Sequence, residues 1–229
     1  MLKETNLYVN IHGHRHANNI QEWVMMNLFA IEYPPDDIES GYYSVGFHPY
    51  NIGKMDEQDT LAKVRLATEN SNILAIGEIG LDRSIAPPME DQMRIFEQQV
   101  EIAESAGLPV ILHVVRAFNE MIEFMRVHNP SVSMIIHGYN GSREMAEELV
   151  KAGFLISFGE AIAREHSKII EALLSVPVEK LFLETDEGDL DIREIYHTAA
   201  EVKGIPMDQL RGQIVENAKA HLPRFAKLF

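Results

Sequence analysis

The sequence predicts an α/β fold, a TIM-type (β/α)8 barrel whose first two β-to-α crossovers are truncated. Three observations predict it. Short apolar runs recur along the chain, eight in all. From about residue 56 onward they alternate with stretches of helical spacing, the pattern of a parallel sheet. Five of the runs lead into a histidine or a carboxylate: 7–11 into His12-Gly13-His14, 73–77 into Glu78, 109–112 into His113, 133–136 into His137, and 180–185 into Asp186. A closed parallel barrel carries the C-terminal ends of its strands to one place.

The elements follow in order. Strands are expected at 7–12, at about 23–30 and at 42–47. The links 13–22 and 31–41 are short, and 31–41 contains Pro34-Pro35. A parallel crossover with its helix needs at least ~10–12 residues, so these links are expected to be loops or single turns. Residues 56–70 have helical spacing through Leu61, Val64, Leu66 and Ala67, and 73–77 is a strand. Residues 88–106 place Met93, Phe96, Val100 and Ala103 on one helical face, with Gly107 just past the end. A strand at 109–113 and a helix at 118–127 follow, the helix stopped before Asn129-Pro130. A strand at 132–137 leads to a helix capped by Ser142 and ended at Gly153. Strand 154–158, helix 163–174 and strand 180–185 complete the alternation. Residues 190–220 read as two helices, the second opening near Pro206. A single domain over residues 1–229 is expected, with no internal repeat or linker.

Bulk composition bounds the chemistry. The 229 residues are 46% apolar, enough for a sizeable core. Cysteine is absent, so thiolate sites are excluded and a metal must sit on His, Asp or Glu. No apolar run approaches the ~18 residues of a membrane span, and no signal-peptide core precedes the first strand. A cytoplasmic location is expected, with no membrane and no obligate protein partner. The net charge of −15 argues against a basic nucleic-acid-binding face. It does not exclude a nuclease, because two divalent cations would add positive charge where a phosphate must sit.

His12 and His14 are two residues apart in a strand, so both rings share one face and can reach one ion. His16 continues that alternation beyond the expected strand end and is the weaker candidate. Glu78 follows an apolar strand and is costly there unless paired or coordinating. It is the obvious anion to bridge two cations. No lysine ends a strand, since Lys180 begins one, so a bridging modified lysine is not expected. His113 and His137 each end an apolar strand. Asp186 could bind metal and orient an attacking water. The six together point to a metal site more strongly than any alone.

Several segments carry a family pattern: Asn10-Ile11-His12-Gly13-His14, Gly46-Phe47-His48-Pro49, the run from Gly77 to Asp82, Leu108-Pro109-Val110 with His113 and Arg116, His137-Gly138-Tyr139-Asn140-Gly141, and Glu184-Thr185-Asp186. In these the chain resembles the TatD family of metal-dependent deoxyribonucleases, within the amidohydrolase-like barrels. The resemblance runs through nearly the whole chain in order. It implies one metal held by His12, His14, Glu78 and Asp186, and a second held by Glu78, His113 and His137. It implies attack on phosphorus by a hydroxide that Asp186 orients, so Asp186 and Glu78 are the catalytic pair. By the same resemblance His48 and Arg116 face the substrate phosphate, and Asp82 holds a neighbour of the ligands. Three features depart from the family. Asn10 stands where the family has Asp, the first two crossovers are cut down, and Glu187, Asp189 and Asp191 make the segment after Asp186 acidic.

The expected activity is divalent-metal-dependent cleavage of phosphodiester bonds at DNA ends, with Mg, Mn or Zn as the ion. The alternatives are a small phosphoester, an amide or a lactone as substrate for the same dinuclear site, or a binding protein without activity.

Overall fold

The computed structural model describes residues 7–17, 19–35, 38–164 and 167–229. Its strands are β1 (Tyr8–Gly13), β2 (Glu22–Phe29), β3 (Tyr42–Gly46), β4 (Ile73–Asp82), β5 (Val110–Val115), β6 (Met134–Ile136), β7 (Leu155–Phe158) and β8 (Leu181–Leu183). They form one sheet in chain order, and every neighbouring pair is parallel. The helices are α1 (Glu57–Ala67), α2 (Met89–Ala106), α3 (Phe118–His128), α4 (Arg143–Lys151), α5 (Ser167–Ser175), α6 (Ile192–Lys203) and α7 (Met207–His221).

The sheet curls until β1 meets the segment after β8. The Asp186 N–H donates to the His12 carbonyl at 3.0 Å, and the His14 N–H donates to the Asp186 carbonyl at 3.3 Å. Further back along β1, Val9 turns its backbone to a side chain instead. Its N–H donates to the Tyr196 hydroxyl at 3.0 Å, and that hydroxyl donates to the Val9 carbonyl at 2.9 Å. The barrel therefore closes by strand pairing at the end that carries the histidines, and by α6 below it.

Helix ends follow local chemistry. Asp56, Ser142 and Asp191 cap α1, α4 and α6 through side-chain oxygens. Gly107 ends α2 in the left-handed conformation at φ 63°. The first two crossovers are short, as expected. Among the described residues, 14–21 holds no helix, and 30–41 holds only two 3-10 turns, Ala30–Glu32 and Ile38–Ser40. The expected helix at 163–174 begins at Ser167; residues 165 and 166 lie outside the described residues. At the opposite pole Phe225 packs edge-on to Trp23 at 4.6 Å. Arg224 donates to the carbonyls of Thr68, Asn70 and Ile73, tying the tail to the start of β4.

Strand extents differ from expectation in one way that matters. β4 runs five residues further, to Asp82, so Glu78 lies inside the strand and not at its end. The β3–β4 and β4–β5 registers both slip, the latter between Ile76 and Ile79, which places an irregularity at Glu78. Such an irregularity re-aims a side chain. Gly77 and Gly80, at φ 158° and 145°, allow it. A Cβ at Gly77 would sit 2.6 Å from the Ile111 Cβ, and one at Gly80 would overlap the His113 carbonyl. Without side chains there, β5 lies close enough to bring His113 beside Glu78. Among the described residues no helix is long and apolar enough to cross a membrane.

Candidate metal centre

Glu78 is at the middle of the cluster, 6% exposed, and its two oxygens face different partners. Oε2 lies 3.8 Å from His12 Nε2. Oε1 lies 2.8 Å from His113 Nδ1 and 2.7 Å from His137 Nε2. The Glu78 N–H donates to Asn27 Oδ1 at 2.9 Å, which fixes the backbone from β2. Asp186 Oδ1 lies 3.6 Å from His12 Nε2 and 3.4 Å from His14 Nε2. All six sequence-predicted ligands therefore meet at the C-terminal mouth of the barrel. His16 is exposed and takes no part.

Two more carboxylates orient the rings. Asp82 Oδ2 is 3.0 Å from His113 Nε2, while its Oδ1 accepts from the Ser84 N–H at 2.7 Å and hydroxyl at 2.5 Å. Asp82 thus supports the His113 ring from the side away from Glu78. Glu184 was given no role from sequence. It is fully buried, its Oε1 accepts from the Gly138 N–H at 2.6 Å, and His137 Nδ1 lies 3.3 Å away. His113 and His137 thus each turn one ring nitrogen to a supporting acid and the other to Glu78, the usual support of a metal-bound imidazole. The signal in the sequence was a carboxylate directly after the apolar run Leu181-Phe182-Leu183.

Also missed were Gln92 and Gln99, seven residues apart on the inner face of α2. Gln99 accepts from the Phe47 N–H at 2.7 Å and donates to its carbonyl at 3.1 Å. Gln92 does the same for Asp82 at 2.7 and 2.9 Å. One helix thereby clamps the ends of two site strands. Buried amides at core-facing helical positions were the available signal.

His48 and Arg116 have different placements. His48 Nδ1 accepts from the Tyr50 N–H at 3.1 Å, so the neutral ring carries its proton on Nε2, which lies 3.4 Å from Glu78 Oε1. That makes it a donor to Glu78 rather than a ligand. Its ring stands edge-on to His113 at 4.5 Å. Arg116 is exposed beyond β5, at φ 53°, and makes no ion pair with a described residue. Asn10 does not touch the cluster. Its amide donates to Glu22 at 2.9 Å and to the Thr185 hydroxyl at 2.8 Å, and its oxygen accepts from the Thr185 N–H at 3.0 Å. The charge absent from residue 10 is present nearby on buried Glu22.

The electrostatics are those of a crowded acid–imidazole cluster. Burial opposes ionisation of Glu78, but the charge of His137 and the bonds of three histidines hold its carboxyl well below the usual range. Burial likewise opposes the charged forms of His113 and His137. Glu78, Asp82 and Glu184 outweigh it and push both rings up. Asp186 is partly buried, yet the facing His12 and His14 hold it far below an ordinary aspartate, and His14 is raised in turn, chiefly by Asp186.

These residues fit a divalent cation. His12 is fully buried, and neither ring nitrogen has a hydrogen-bond partner. Its separations of 3.6 and 3.8 Å from carboxylate oxygens are too long for hydrogen bonds. They approximate the spacing of two ligands on one ion, about 3.4 Å for ~2.1 Å bonds at tetrahedral angles. Around His113 and His137 a ring lone pair and a carboxylate oxygen face each other, which requires a proton or a cation between them. An all-nitrogen-and-oxygen set of this kind accepts Zn, Mn, Fe, Ni or Mg.

Comparison with known proteins agrees. The family model described as TatD related DNase matches residues 36–223. The uncharacterized metal-dependent hydrolase YabD of Bacillus subtilis is 28% identical over 194 residues, 78% of this chain and 76% of that protein. The 3'-5' ssDNA/RNA exonuclease TatD of Erwinia amylovora is 29% identical over 199 residues, 77% of this chain and 76% of that protein. The crystal structure of YjjV, a TatD homologue of Escherichia coli, covers 96% of this chain and 99% of its own, with a TM-score of 0.82 at 20% identity. The family model spans the barrel from the second crossover to the last helix and includes four of the six converging ligands, Glu78, His113, His137 and Asp186, together with the supporting Asp82 and Glu184. The chain belongs to the TatD-related deoxyribonuclease family of metal-dependent hydrolases.

Proposed function

We propose that the protein is a divalent-metal-dependent phosphodiesterase of deoxyribonuclease type, acting on DNA ends through two ions that share Glu78. The observation that carries it is the division of one buried carboxylate between two sets of histidines, Oε2 toward His12 and Oε1 toward His113 and His137. His12, His14, Asp186 and Glu78 would hold one ion; His113, His137 and Glu78 the other. When bound, the ions supply Lewis acidity at the phosphoryl oxygens.

The chain's own groups do the rest. Asp186, held ionised by its imidazole neighbours, orients the attacking water through an acceptor oxygen. Asp82 and Glu184 keep the rings of His113 and His137 turned inward. His48, with a proton on Nε2, is placed to donate to a substrate oxygen as well as to Glu78. Arg116, exposed at the rim, is a second candidate for the phosphate. The name of the Erwinia relative supports single-stranded DNA or RNA as the substrate class.

A small phosphoester is the second reading. A cavity of about 510 Å³ and the acidic Glu187 on its wall favour a small ligand over a long polyanion. The decisive assay offers metal-stripped protein reloaded with Mg, Mn or Zn an end-labelled single-stranded oligonucleotide beside small phosphoesters and lactones. Stepwise shortening of the oligonucleotide is expected. Turnover of a small ester with DNA untouched under every metal would replace the first reading by the second. No divalent binding in a calorimetric titration would leave only a binding protein.

A further inference from the structure

One wall of the cavity over Glu78 has no part in the chemistry above. Phe29, Ile31, Tyr50 and Met55 form it, in a cavity that Asp186 and Glu187 also line. Ile31 and Tyr50 are 51% and 56% exposed. Single exposed hydrophobes are ordinary, but four side chains around the mouth of a polar site form a contact surface. The wall is fixed in register with the metal ligands. The Tyr50 N–H donates to His48 Nδ1, and the other nitrogen of that ring faces Glu78 at 3.4 Å. The Phe29 ring lies 5.9 Å from that of His48 and 6.4 Å from that of His14. Lys54 covers one face of Tyr50, its Nζ 3.0 Å from the ring centroid. Among the described lining residues none is Lys or Arg.

We infer that this wall is a stacking subsite for the nucleobase beside the scissile phosphate of a single-stranded end, with Tyr50 as its main contact. The inference rests on the phosphodiesterase reading and adds how the substrate is selected. A cavity of about 510 Å³ suits one nucleotide and not a duplex. A lining without Lys or Arg offers no clamp for a second phosphate, and Glu187 repels one. Affinity beyond the metal centre and the His48 and Arg116 contacts to the scissile phosphate then has to come from the apolar wall. A π face accepts any base, so the subsite is tolerant of sequence. Lys54 on that ring adds a cation to the face it covers.

The test compares two short single-stranded oligonucleotides, identical except that one ends in an abasic residue. The metal-loaded wild type, Tyr50→Ala and Tyr50→Trp are each assayed on both. A third oligonucleotide carries terminal 2-aminopurine, whose fluorescence reads stacking directly. In the wild type the base-bearing end is preferred and the fluorescence is quenched. In Tyr50→Ala the preference falls about tenfold, through KM, and the quench is lost; Tyr50→Trp restores both. Equal preference and equal quench in wild type and Tyr50→Ala would overturn the subsite, as would a loss shared equally by base-bearing and abasic ends. If no oligonucleotide is cleaved under any metal, the phosphodiesterase reading fails. Quenching that persists there and disappears in Tyr50→Ala would still support the stacking wall.

Discussion

The two halves of the centre are built differently. Around His12, His14 and Asp186 the separations are 3.4–3.8 Å, and orientation comes from the backbone ladder that joins β1 to the end of β8. Around His113 and His137 the rings lie 2.7–2.8 Å from Glu78 Oε1, and orientation comes from two supporting carboxylates, Asp82 and Glu184. One half is aligned by strand closure, the other by side-chain hydrogen bonds. Glu78 is the one residue that the proposed two-ion arrangement assigns to both. Damage to one half should therefore leave the other measurable.

The largest effect is expected at the shared residue. Glu78→Gln should remove tight metal binding from both halves and lower kcat/KM by at least about 10³-fold. Full metal content by elemental analysis together with normal turnover would disprove the sharing. Asp186→Asn comes next, with loss of about 10²–10⁴-fold in turnover and weakening of the first half only. A calorimetric titration should then retain one equivalent of unchanged affinity, and loss of both would show the halves to be coupled.

Glu184→Gln and Asp82→Asn should each weaken the second half by about 10–100-fold in metal affinity, with the first half unaltered. Equal losses in both halves would break the comparison. Protons compete with metal for His14, His113 and His137, all of which are raised. Apparent affinity should therefore fall with decreasing pH, beginning above the ordinary histidine value of ~6.5. Titrations in buffers of different ionisation enthalpy would count the protons released, and an affinity flat with pH would contradict the raised values.

The smallest effect on activity is expected at Asn10, which belongs to neither half. Asn10→Asp would set a second buried carboxylate against Glu22, now 2.9 Å from the Asn10 amide. Repulsion should raise one of the two pKa values. The folded form would then bind more protons than the unfolded chain, so the deficit should be greatest near neutrality and shrink as pH falls. Denaturant unfolding should show about 1–3 kcal/mol lost at pH 7; a gain in stability there would mean that another group satisfies the new charge.

Much of this was legible before folding. Strand and helix positions follow from apolar spacing, from Gly107 and Gly153 past helix ends, and from Pro130 and Pro206, all of which act locally. The six ligands were legible because each adjoins an apolar run. Glu184 was read past because its neighbour Asp186 carries the same charge, and only the packing around β8 shows which of the two is fully buried. Gln92 and Gln99 resemble surface amides until α2 is laid across the ends of β3 and β4. Arg116 shows the reverse, a motif residue that the fold leaves at the rim.

The sequence by itself determined the alternation of strands and helices, the shortness of the first two crossovers and the donor types available to a metal, because these depend on residues near one another in the chain. Tertiary structure decided which oxygen of Glu78 faces which histidine, which acid holds which ring, and that Tyr50 stands over the same cavity. Those relations join residues 30 to 170 positions apart, and only closure of the barrel between His12 and Asp186 sets the distances among them.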